Sequence, residues 1–106
     1  MHLPRPLSTF FRAENANDLE ALALCFISSA TVLDEGRTIE GVDAIKRWMD
    51  DAKRKYQHTV EPLELTEREG KSVVTARVSG NFPSSPVNLE HIFKLRGGKI
   101  ASLEIH

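Results

Sequence analysis

The stretch Ser29 to Gly41, SATVLDEGRTIEG, decides how the chain must be read. A short apolar run, Val32-Leu33, ends at Asp34-Glu35 and a glycine. A second extended piece, Arg37-Thr38-Ile39, ends at Gly41, where a long amphipathic pattern begins. Two short β-type pieces around a Glu-Gly turn, followed by a helix, place a carboxylate where a strand stops. Asp34 is then either a solvated turn acid or an acid at the mouth of a pocket.

Downstream, VDAIKRWMDDAKRKY carries Ile45, Trp48, Met49, Ala52 and Tyr56 on one helical face. Lys46, Arg47, Asp50, Lys53 and Arg54 form the opposite, solvated face. Asp43 near the start and Lys53 to Lys55 near the end suit the helix dipole. After Tyr56 the apolar period drops to two. HTVEPLELTER, SVVTARVSGNF, VNLEHIFKL and KIASLEI read as four strands joined by short connections, so antiparallel neighbours are expected. Val74, Ala76, Val78 and Phe82 share one face; Val87, Leu89, His91, Phe93 and Leu95 another; Ala101, Leu103 and Ile105 a third. The reverse face of the second strand carries Val73, Thr75, Arg77, Ser79 and Asn81, which suits solvent or a dimer interface.

Upstream, LSTFFRAENAND places Leu7, Phe10 and Phe11 at helical spacing, and polar residues from Glu14 mark its end. NDLEALALCFISS reads as a second helix with Asn17 as N-cap, Glu20 three residues on, and Leu19, Leu22, Ala23 and Phe26 facing inward. Three helices followed by a four-strand meander have one economical solution: the helices cover one face of the sheet. The expected class is α+β, a single domain over residues 1–106, with a concavity between sheet and helices.

Composition narrows the functional classes. The chain has 106 residues, 41% hydrophobic and 27% charged, with a formal net charge of −1. That charge leaves no footprint for nucleic acid. No apolar run is long enough to span a membrane, and the proline-containing N-terminus lacks an export signal. The lone Cys25 sits on an apolar helix face and is expected to be a buried, inert thiol. One cysteine fits a cytoplasmic location. His2, His58, His91 and His106 show no metal-ligand spacing, so neither metal nor other cofactor is expected.

Taken together, NDLEALALCFISSATVLDEGRTIEGVDAIKRWM, the meander and HIFKLRGGKIASLEI resemble the NTF2-like superfamily, in particular its SnoaL-like branch. The resemblance implies a cone-like fold, a pocket lined by helices and inner sheet face, and a homodimer through the outer face. Ketosteroid isomerases share this fold, and by register from ATVLD their general base falls on Asp34. Their oxyanion-hole partners do not carry over: the tyrosine position falls on Phe10, and the second acid falls on or beside His91, with Glu90 next to it. A complete steroid-type isomerase site is not expected.

The resemblance thus implies a protein that binds a small hydrophobic or cyclic molecule. Asp34 and His91 are the candidate proton-transfer pair for isomerisation, cyclisation or hydrolysis. Phe10, Phe26, Trp48 and Phe93 are the candidate walls, with His58 at the rim or exposed. The alternative is a non-catalytic binding or interaction module. His91, on an otherwise apolar face, also fits a hydrogen-bonded core histidine, and Trp48 fits a plain core residue.

Overall fold

A computed structural model describes residues 1–106. Helix α1, Arg5–Ala16, has a proline in its first turn, where the missing N–H costs nothing. It ends at Asn17, which adopts the left-handed conformation (φ 54°) and caps the helix through its backbone N–H. Asn17 is therefore a C-cap, not the expected N-cap. That role falls to Asp18, whose carboxylate accepts from the Ala21 N–H at 3.1 Å.

Helix α2 is short, Leu19–Leu24, and does not run through Phe26 as its pattern suggests. Cys25 instead presents its carbonyl to the Ile100 N–H at 2.7 Å, and strand β1, Phe26–Asp34, begins at once. Pairing with a distant strand overrides the local helical periodicity. Leu24, the last residue of α2, is exposed. The Glu35-Gly36 turn has positive φ at both residues (52° and 73°), as a two-residue hairpin of type I′ requires. It pairs Asp34 with Arg37 and leads into β2, Arg37–Glu40.

Helix α3, Val42–Tyr56, buries Ile45, Trp48 and Met49. Four strands follow: β3, Thr59–Arg68; β4, Lys71–Ser79; β5, Val87–Arg96; and β6, Lys99–Ile105. They form the expected antiparallel meander, but the complete sheet has six strands in the order β2-β1-β6-β5-β4-β3. Because β1 lies parallel to β6, the sheet is mixed rather than purely antiparallel, and it is not closed.

Two details depart from simple alternation. An irregularity in the β5–β6 ladder pairs Lys94 with Ser102 but Leu95 with Ile100. The extra residue, Ala101, is skipped, so Ile100 and Leu103 both reach the core. The expected face of Ala101, Leu103 and Ile105 is corrected accordingly. Strand β4 stops at Ser79 rather than reaching Phe82, because Gly80 passes close to the end of α3. A Cβ on Gly80 would lie 2.7 Å from the Tyr56 carbonyl oxygen.

The core lies between helices and sheet. Phe10 is fully buried and packs edge-on against Phe11, Phe26 and Phe93, with ring centroids 5.2, 5.9 and 5.5 Å away. Leu7, Leu22, Ile45, Met49, Ile100 and Leu103 complete it. No helix is long and apolar enough to cross a membrane.

Candidate functional site

Asp34 ends β1 at the hairpin, which leaves its side chain half-buried beside α3. One helical face places Trp48 opposite it. The Trp48 indole N–H donates to Asp34 Oδ2 at 3.0 Å, while Asp34 Oδ1 has no partner within the protein. A buried indole needs an acceptor, and this one fixes the carboxylate's orientation.

The two residues lie on the wall of a cavity of about 320 Å³. Met49, Ala52 and Tyr56 continue the α3 wall, and Val78, Val87, Leu89 and Ile105 supply the sheet side. Phe82 and Ser84 belong to the loop between β4 and β5, where Phe82 packs edge-on against Tyr56 at 5.9 Å. Glu35 sits at the exposed rim.

His91 also lines the cavity from β5 and is almost completely buried. Its ring lies beside Phe11 and stacks with Phe93, at centroid distances of 5.4 and 6.3 Å. Burial pushes its pKa below the usual histidine value, against weaker opposition from Glu14, the Leu89 carbonyl and Asp34. The ring is therefore a neutral donor–acceptor at ordinary pH.

A second polar pair completes the lining. His58, just before β3, meets Glu14, in the last turn of α1, with Nε2 2.8 Å from Glu14 Oε2. Both are buried, so His58 is not the expected rim or exposed residue. The neighbouring Asn15 explains why: its side chain exchanges two 2.8 Å hydrogen bonds with the Val60 backbone and clamps α1 to β3. Lys53 donates to the His58 carbonyl from behind, and partial burial lowers its pKa, with the Glu14 charge acting the other way.

Glu14 is the residue that strand and motif reading missed, yet its position carried a signal. It continues the face of Leu7, Phe10 and Phe11 by helical spacing, so a carboxylate had to point inward with them. The structure brings Asp34, His91, Trp48 and His58 to one cavity. It does not bring Phe10, Phe26 and Phe93 there: these expected walls are core residues, packed on one another rather than on the open space. Cys25 is buried, and burial raises its pKa, so it stays a thiol. No group of three His, Cys, Asp or Glu side chains is placed to share a metal ion.

This arrangement has a carboxylate with one pinned and one free oxygen, a neutral imidazole, and a carboxylate–imidazole pair in a partly apolar wall. Such a set can orient a small molecule and exchange protons with it.

A profile of the SnoaL-like domain family matches residues 7–103. The chain belongs to that family. Among solved structures, this SnoaL-like domain is similar to a candidate polyketide cyclase from Sinorhizobium meliloti, at 44% identity and a TM-score of 0.94, over 98% of this chain and 95% of that one. It shares the fold of a hypothetical protein from Catenulispora acidiphila described as having a ketosteroid isomerase-like fold, solved with trimethylamine, at 18% identity and a TM-score of 0.85, over 99% and 86% of the two chains. A cystatin-fold protein from Novosphingobium aromaticivorans shares it too, at 16% identity and a TM-score of 0.82, over 100% and 98%. No curated protein matches the SnoaL-like domain by sequence.

Proposed function

We propose that this SnoaL-like domain binds a small, largely apolar carbonyl compound and moves a proton on it, with Asp34 as the acid/base group. The observation that carries this reading is the 3.0 Å hydrogen bond from Trp48 to Asp34 Oδ2, on the wall shared with the buried His91. The bond aims the carboxylate and leaves Oδ1 free to take a proton from a carbon next to a carbonyl. The electron pair of the broken C–H bond passes to the carbonyl oxygen as an enolate. Neutral His91 gives its one N–H, on Nδ1, to the Leu89 carbonyl at 3.4 Å, so its Nε2 is an acceptor that can hold a ligand O–H or take up a proton.

The resemblance to a candidate polyketide cyclase favours ring closure as the outcome. There the enolate carbon attacks a second carbonyl of the same molecule, forming a C–C bond, and the new alkoxide takes up a proton. Isomerisation uses the same first step and returns the proton to another carbon. Homodimerisation through the outer sheet face is part of the same proposal, and sedimentation velocity tests it: a purely monomeric protein would contradict it.

A second reading has a specific observation behind it. By the sequence resemblance the tyrosine position of ketosteroid isomerases falls on Phe10, which is buried in the core and has no hydroxyl. That favours a binding module without chemistry. Exchange of α-protons for deuterium in a bound ketone separates the two readings. Exchange that depends on Asp34 supports catalysis; binding without exchange supports the module.

A further inference from the structure

Buried polar atoms in folded proteins are nearly always hydrogen-bonded. Glu14 Oε1 and His58 Nδ1 are exceptions: both are buried and neither has a partner. They belong to two side chains that bond to each other and line the same cavity as Asp34. An ionised carboxylate only accepts, so His58 Nε2 carries the hydrogen of their 2.8 Å bond. Glu14 Oε1 is left as an unfilled acceptor, and His58 Nδ1, on the far side of the ring from that bond, is the second unpaired atom.

The charge of the wall points the same way. Glu14, Asp34 and Glu35 line the cavity, and no lysine or arginine does. An anionic ligand would meet like charge with no cation to receive it. A ligand bearing an N–H or O–H group would fill the empty acceptor on Glu14. Glu14 reaches such a donor by turning its carboxylate about its last torsion, which is soft.

We infer that Glu14 and His58 form a second binding station, which selects a ligand carrying a hydrogen-bond donor at the end remote from its reacting carbonyl. This rests on the reading of the cavity as a small-molecule site. The ligand class is a compact hydroxy- or amino-substituted carbonyl compound, not a carboxylate or phosphate.

The test is an NMR titration that follows the Trp48 indole N–H, with four probes of one shape. Acetophenone has no donor, 4-hydroxyacetophenone an O–H, 4-(aminomethyl)acetophenone an ammonium N–H, and 4-acetylbenzoate an anion. At least one donor probe is expected to bind about tenfold tighter than acetophenone, the strength of a hydrogen bond to a charged group. The anion is expected to bind more weakly than acetophenone. Which donor probe binds better tells O–H from N–H. Glu14→Gln should abolish the donor preference, so that the donor probes bind the variant no tighter than acetophenone does. If acetophenone binds as well as both donor probes, the second station is wrong and the small-molecule reading stands. If no probe moves the Trp48 signal, both fall. The wild-type series decides the matter even if the variant does not fold.

Discussion

Burial of His91 makes a prediction about stability that a bystander histidine would not. The unfolded chain protonates this imidazole near the ordinary value of about 6.5. In the folded protein, burial disfavours the charged ring and lowers its pKa below that value. Below pH 6.5 the unfolded state therefore binds more protons, and stability falls as pH falls. The contribution is fully present above that value and is lost on descending toward the folded pKa. With one proton involved, the loss between pH 8 and pH 5 is at most about 2 kcal/mol. His91→Phe keeps an aromatic ring between Phe11 and Phe93 and removes the titration. Urea unfolding of both proteins at pH 8, 6.5 and 5 is the assay. Subtracting one series from the other cancels the remaining histidines. The wild type should lose more stability than the variant over this range, by up to about 2 kcal/mol. Parallel losses would refute the reasoning, because His91 would then not be held neutral by the fold.

Two further outcomes follow from the backbone. Glu69, exposed and at φ 54° in the turn between β3 and β4, holds a left-handed conformation that asparagine tolerates better. Glu69→Asn should raise stability by about 0.5–1 kcal/mol in chemical denaturation. Gly80→Ala brings a Cβ within 2.7 Å of the Tyr56 carbonyl and 3.0 Å of His58 Cα, both backbone atoms that cannot swing aside. It should cost about 1–3 kcal/mol in the same measurement, and wild-type stability would show that the two segments are looser than described.

Much of the fold was legible because period and punctuation agreed. The α3 face from Ile45 to Tyr56, the Glu35-Gly36 turn and the strands after Tyr56 all sit where residue spacing places them. What escaped was set by distant partners. CFISS reads as helix, yet Cys25 and Phe26 answer to Ile100 on β6. Alternation through KIASLEI breaks at Ala101 because the strand must bend there. Asn17 and Asp18 are both good caps, and only the path of α1 decides which end each one serves.

The site was legible in part for the same reason. Asp34 and Trp48 were both visible from their positions, one at a strand end and one on a helix face. Their hydrogen bond depends on how α3 crosses β1, which no local pattern encodes. Phe10, Phe26 and Phe93 show the limit of periodicity: it identifies the buried face but not which part of that face borders empty space. Glu14 was hidden by the opposite habit, in which a charged residue near a helix end is taken for solvent.

The account stands or falls on whether Asp34 moves a proton. The direct measurement is NMR in deuterated buffer, following loss of α-proton signal from a cavity-bound ketone with wild-type protein and Asp34→Asn. The account predicts exchange above the buffer rate with the wild type, and loss of that excess in the variant while ketone affinity and fold are retained. Equal exchange by both proteins would contradict it.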